Sequence, residues 1–178
     1  ELVDNLIELE KDAALIVLGR SGTGHALSAK TIGSDIEHAV RALHTPILIT
    51  VGPFTPPKQV MIAYDGREAA NNAIAKIAQS TLLKGLRCHL VTVGDPSDTK
   101  RNEQLAQASQ ILQHQGFDTE THIINGDIYN ALIEYKNAND IDLMVMGAYA
   151  HSKVRQFFVG SNTNKMIIES DIPLLILR

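Results

Sequence analysis

Gly147 and the run Gly160-Ser161-Asn162-Thr163 are the residues whose types and spacing suit the binding of an anion. Gly147 follows Leu143-Met144-Val145-Met146, apolar at every position, the pattern of a parallel strand covered on both faces. A glycine there has no side chain, so a ligand can lie close to the backbone. About a dozen residues later Gly160-Ser161 opens a helix, whose free backbone N–H groups and positive dipole end favour phosphate. The side chains of Ser161, Asn162 and Thr163 add donors. Asp65 stands just past a second apolar run, Val60 to Tyr64, so in a doubly wound sheet it faces the same crevice. Two readings stay open for it: an acceptor for a ligand, or the turn and helix cap that Asp65-Gly66 would make. Gly126-Asp127 has the same two readings, of which turn and cap is preferred.

The same order of strand, glycine, loop and helix occurs earlier, as Leu15 to Gly24 followed by Thr31-Ile32-Gly33-Ser34-Asp35. Gly19 corresponds to Gly147, Gly33-Ser34 to Gly160-Ser161, and Pro46 to Pro173, with offsets 147 − 19 = 128, 160 − 33 = 127 and 173 − 46 = 127. The chain therefore contains an internal repeat with one residue gained or lost inside the loop. The second copy begins near Lys58, so the first is expected to begin about 70 residues before residue 1 (58 − 127 = −69). That predicts a chain starting inside a domain, a fragment or truncated relative of a tandem protein. Residues 1–52 form the C-terminal half of a first domain, 53–58 a proline-rich linker, and 59–178 a complete second domain.

These motifs resemble the universal stress protein family, whose nucleotide loop reads G-x-x-G, nine residues, then Gly-Ser or Gly-Thr. The resemblance covers nearly the whole chain. It includes Val60-Met61-Ile62-Ala63-Tyr64-Asp65-Gly66 with Glu68-Ala69-Ala70, and Asn125-Gly126-Asp127. The second loop keeps the spacing but has Ala150 in place of the second glycine; the first has Gly19, Gly22 and Gly24 but ten residues before Gly33-Ser34. The resemblance implies a Rossmann-like adenine-nucleotide-binding fold taking ATP or another adenine nucleotide, with Mg²⁺. It assigns the backbone of Ala63 and the carboxylate of Asp65 to the adenine, and Gly147, Ala150, Gly160, Ser161 and Asn162 to the rest of the nucleotide. It also implies cytoplasmic stress adaptation and assembly through the last strand of each domain, as a homodimer or by pairing of the two domains within one chain; the protein partners are unknown.

The residues of the first copy offer a second phosphate loop, Gly19, Gly22, Gly24, Gly33 and Ser34, within reach of Arg20 and Lys30. Asp35 beside it would repel phosphate, and the adenine side of that copy lies outside the chain, so a complete site is expected in the second copy. Phe157 and Phe158 are expected to pack over the crevice or a partner. The 178 residues, 44% apolar, suffice for a real core. A net charge of −4 with no basic run argues against nucleic acid. No apolar stretch reaches the about 18 residues of a membrane span. The one cysteine, Cys88, excludes an internal disulfide, fits a reducing compartment and reads as a buried small residue.

Periodicity places helices at 1–11, 34–43, 67–83, 98–115, 128–137 and 161–169. Strands are placed at 15–18, 47–51, 60–64, 86–93, 117–124, 142–146 and 173–177. Such alternation specifies a parallel sheet wound on both faces, with the mixed-polarity strand at 117–124 on its edge and ligands at the carboxyl ends. Leu105, Ala108, Ile111 and Leu112 are expected to face the sheet. Catalysis has little support: His25 and His151 lie in the loops without a nucleophile or paired carboxylate at motif spacing. His38, His44, His89, His114 and His122 show no metal-site spacing along the chain. Two alternatives to a nucleotide module are a nucleotide-free interaction domain of the same fold, which Ala150 favours, and a weak ATPase. Ala150→Gly is expected to create or greatly tighten ATP binding, measured by equilibrium titration; no gain would count against the assignment of this loop.

Overall fold

The structure is a computed structural model and describes residues 2–20, 29–148 and 161–178, with the side chains of 29–35 and 161 outside that description. The first half contributes α1 (Leu2–Leu9) with a 3-10 turn (Glu10–Asp12), β1 (Ile16–Gly19), α2 (Ala29–Ala42) and β2 (Ile47–Thr50). The second contributes β3 (Gln59–Ala63), α3 (Glu68–Gln79), β4 (Arg87–Val93), α4 (Thr99–His114), β5 (Asp118–Ile124), α5 (Ile128–Ala138), β6 (Leu143–Gly147), α6 (Ser161–Glu169) and β7 (Leu174–Leu177). All seven strands join one sheet in the order β1-β2-β7-β6-β3-β4-β5. Among the described residues no helix is long and apolar enough to cross a membrane.

The wound α/β sheet agrees with the sequence reading, with one departure. Every neighbouring pair is parallel except β2 and β7, which run antiparallel. In that pair Leu48 lies opposite Leu175, its own counterpart in the repeat (175 − 48 = 127). The two copies thus meet about a local two-fold axis at these leucines, as isologous surfaces do. The parallel alternation seen within each copy carries no information about the sense of pairing between them.

Burial follows the polarity of each strand. β6 and β7 are apolar throughout; all of β7 and the first four residues of β6 are buried. β5, half polar, is one edge strand and β1 the other, and no residue of β5 is fully buried. On one face α3 and α4 cover Val60, Ile62, Val145 and Leu175. The other face collects Met61, Met144, Met146 and Ile176, together with Ile47 and Ile49 of the first half. There α2 and α6 pack on each other across the junction. Beside α3 an open groove of about 270 Å³ runs between Leu15, Pro46, Leu83 and Leu177, and Val17 of β1 is 57% exposed.

Helix ends are set by local chemistry. Asp98 and Asp127 cap α4 and α5, accepting from the backbone N–H of Arg101 and Asn130. Gly116, at φ +81°, ends α4 in the left-handed region. Within α4 the inward stripe is Leu105, Ala108, Ser109 and Leu112, whereas Ile111 is 48% exposed. Position 111 falls at the edge of the 105-108-112 stripe, and Ser109 turns inward because its hydroxyl lies 3.1 Å from that of Thr119. α3 ends at Gln79 instead of continuing to Leu83, since Ser80 adopts an extended conformation.

Arginines from opposite halves close the last turns of α2 and α6. Arg178 donates to the carbonyls of Arg41 (2.9 Å) and Leu43 (2.6 Å), and Arg20 donates to the carbonyl of Ser170. Each cation satisfies carbonyls left free at a helix C-terminus and complements the dipole there. Lys136, buried in α5, binds both oxygens of Asp171 at 2.6 and 2.7 Å. The hydrogen bond from Lys136 holds the Asp171 carboxyl below its usual range, against the opposing effect of burial. A carboxyl depressed in the folded state stabilises above the unfolded pKa of about 3.9, and that stabilisation is lost as pH falls through the folded value. Asp171→Asn should therefore lower stability at pH 7 by about 1–2 kcal/mol, less than for a fully buried pair because Asp171 is exposed. In denaturant titrations the difference from the parent chain should shrink as pH falls below about 4.

Candidate functional site

The winding reverses at β3. From β3 the chain runs outward through β4 to β5, then returns to place β6 on the other side of β3. The carboxyl ends of β3 and β6, where Ala63 lies opposite Met146, therefore flank the crevice in which open α/β sheets bind ligands. Ala63 is partly buried there. Tyr64 is anchored on three sides: its N–H donates to Val91 O (2.9 Å), its carbonyl accepts from Thr92 Oγ1 (2.7 Å), and its phenol donates to Asn71 Oδ1 (2.7 Å). Burial first, and Asp65 second, raise that phenol above the usual tyrosine range, so it stays a donor.

This anchoring delivers Asp65 to the rim. Its Oδ1 accepts from the backbone N–H of Arg67 (2.9 Å), closing a turn in which Gly66 takes φ +75°. Its Oδ2 lies 3.7 Å from Arg67 Nε, and the side chain is 57% exposed. The turn reading of Asp65 is thus observed, with both oxygens near Arg67 and the side chain open to solvent. Asp127 also takes the turn-and-cap role expected of it.

Gly147 answers to a demand that the sequence did not reveal. A Cβ built on it would sit 2.4 Å from Ala69 O and 2.8 Å from Ala70 N. The first turn of α3 lies where a side chain at Gly147 would project, so the glycine serves close helix–strand packing. This contact also sets how near α3 comes to the crevice. Beyond Gly147, the N–H of Ala148 donates to Leu177 O at 2.8 Å and carries the β6–β7 ladder one step further.

α6 begins at Ser161 as expected, with partly buried Asn162 and Thr163 in its first turn, whose amides have no acceptor within the helix. Ala150 and Gly160 lie outside the described residues, as do His151, Phe157 and Phe158. In the first copy Gly19 ends β1, paired with Thr50, while Gly22, Gly24 and His25 lie outside the described residues. α2 starts at Ala29, earlier than expected. Gly33 and Ser34 are therefore inside the helix and not at its opening. Ala29 and Lys30 are strong helix formers, and one interior glycine costs only about 1 kcal/mol. Arg20, expected to reach phosphate, is instead engaged at the end of α6.

Cys88 is fully buried, and burial pushes its thiol up to about 11, in keeping with a packing role. The histidines are less scattered than their spacing suggests. His89 and His122 come together with Glu120 through the pairing of β4 with β5. The signal in the sequence was that all three occupy the same parity on neighbouring strands.

Comparison with known proteins places this geometry. The model of the universal stress protein family matches residues 57–178. The chain belongs to that family. Universal stress protein Slr1230 of Synechocystis sp. is 33% identical over 178 residues, covering 99% of this chain and 62% of the relative. The chain thus spans less than two thirds of that relative's length. A universal stress protein from Archaeoglobus fulgidus shares the fold with a TM-score of 0.70 at 17% identity, over 99% of this chain and 64% of the other. A family member from Arabidopsis thaliana with AMP bound superposes with a TM-score of 0.53 at 14% identity, over 68% of this chain and 91% of the other.

Gly147→Ala in this universal stress protein is expected to cost about 3 kcal/mol or more, because the methyl meets helix backbone that cannot yield as a side chain would. Denaturant unfolding without any ligand would show it, whereas a glycine kept only for ligand approach would leave the empty chain unchanged.

Proposed function

We propose that this universal stress protein is an adenine-nucleotide-binding module acting in stress adaptation, with the nucleotide in the crevice between β3 and β6. The observation that carries the reading is the reversal of winding at β3, which sets Asp65 on one rim of that crevice. The second oxygen of Asp65, free of backbone hydrogen bonds, accepts from the adenine amino group, and the backbone of Ala63 borders the base. Gly160, Ser161 and Asn162 receive the phosphates at the start of α6, where free amides and the helix dipole favour negative charge. Gly147 and Ala150 belong to the same loop, with Gly147 acting through the packing of α3. AMP and ATP are the expected ligands; with ATP, Mg²⁺ would bridge phosphate oxygens. AMP in the Arabidopsis thaliana relative supports the choice of an adenine nucleotide.

Pairing of β2 with β7 supports the reading that the two halves associate within one chain through their last strands, in place of a homodimer. The buried Cys88 supports a cytoplasmic setting. A nucleotide-free interaction domain is the second reading. It is favoured by Ala150, whose methyl would penalise a left-handed loop conformation by about 1 kcal/mol.

Native mass spectrometry of the freshly purified chain, followed by denaturation and identification of any released molecule, tests the proposal. Recovery of about one AMP or ATP per chain is expected. An empty chain whose unfolding temperature does not move in millimolar Mg-ATP would overturn it in favour of the interaction domain.

A further inference from the structure

A second site lies on the sheet face beneath α5, away from the crevice. Strand alternation turns Gln59 of β3, His89 of β4, and Glu120 and His122 of β5 to one face, and Tyr135 of α5 closes over them. His89 lies four residues before the end of β4, so about 13 Å separates it from the carboxyl-end rim. His89 Nε2 is 2.9 Å from Gln59 Oε1, the contact made by the tautomer in which Nε2 is the donor. That leaves the lone pair on Nδ1, which meets the Tyr135 hydroxyl at 2.8 Å and Glu120 Oε1 at 3.0 Å.

In that tautomer Nδ1 and Glu120 Oε1 both offer a lone pair to a shared cation. His122 Nε2 adds a third donor. It is buried without a hydrogen-bond partner, 3.7 Å from Glu120 Oε2. The three ligand atoms lie within 4.8 Å of one another. Adjacent ligands on a tetrahedral Zn²⁺, with bonds of about 2.0–2.1 Å, stand about 3.3 Å apart, so His122 has up to about 1.5 Å to close. Access is from the edge strand, where Glu120 and His122 are one-third exposed while His89 is buried.

We propose that His89 Nδ1, Glu120 Oε1 and His122 Nε2 form a three-ligand site for Zn²⁺, with water in the fourth position. Two imidazoles and one carboxylate match zinc's preference for nitrogen and oxygen donors, and the three-ligand count is that of an open zinc site. Gln59 is the outer partner that fixes the His89 tautomer, as such partners of metal-bound histidines do. Arg87, whose Nη2 is 3.1 Å from Glu120 Oε2, competes with the metal for that carboxylate.

The test uses the chain stripped of metal by a chelator and freed of nucleotide, titrated with Zn²⁺ calorimetrically and with Co²⁺ as a visible-absorption probe. One saturable site per chain, with a Kd of about 10 µM or tighter and the intense bands of four-coordinate Co²⁺, is expected. His122→Ala and Glu120→Gln should each weaken it at least about tenfold. Both positions are half-buried at the sheet edge, and circular dichroism checks that the variants fold. Arg87→Gln should tighten binding about threefold by releasing the carboxylate, and His114→Ala, at an exposed position, should change nothing. A cluster that is only a hydrogen-bonded part of the sheet would behave otherwise. No saturable Zn²⁺ site, a site that survives His122→Ala, or a weaker site in Arg87→Gln would overturn the proposal.

Discussion

The antiparallel pairing of β2 with β7 is the contact on which the rest of the molecule depends. β1 and β2 alone present two faces and two open edges, too little to stand as a sheet. Joined to β7 they extend a five-stranded sheet to seven, and α2 can lie beside α6 over one continuous apolar layer. The repeat makes this joint self-complementary, since Leu48 meets its own counterpart Leu175. The arginines reinforce it from both sides. Arg20 reaches the end of α6 and Arg178 the end of α2, so each half closes a helix of the other.

Within the second half, a single close approach organises the crevice. The backbone of α3 at Ala69 and Ala70 occupies the place of a side chain at Gly147. That brings the start of α3, the Asp65 turn and the carboxyl end of β6 to one rim. The same geometry explains why glycine is needed at this point whether or not a ligand is present. It also separates the two copies chemically: in the first, α2 begins early and places Gly33-Ser34 inside a helix, and Arg20 is taken by the joint.

The edge of the sheet opposite the joint has a different character. β5 cannot be apolar on both faces because it is covered less, and its inward-facing polar side chains must find partners. Gln59, His89, Glu120 and Tyr135 do so in a connected network, but His122 Nε2 is left without a hydrogen bond. A buried nitrogen without a hydrogen bond, beside a carboxylate, is a donor set suited to a cation. The network borders the core and lies apart from the crevice between β3 and β6, so its occupation and that of the crevice can be followed independently.

Much of this was determined by the sequence alone. The alternation of apolar runs with amphipathic segments specified a wound α/β sheet, because strands covered on both faces must be apolar throughout. The cap at Asp127 and the start of α6 at Ser161 were legible because each depends on local backbone chemistry. The family motifs likewise pointed to the candidate crevice. Tertiary structure decided what depends on residues far apart in the chain. The sense of the β2–β7 pairing follows from how two copies meet, the role of Gly147 from the approach of α3, and the engagement of Arg20 from a helix end 150 positions away. The cluster of His89, Glu120 and His122 showed in the sequence only as a shared strand parity, and became a cluster only through tertiary register, for the same reason. Spacing along the chain records only local geometry, whereas these side chains are made neighbours by the register of β4 on β5.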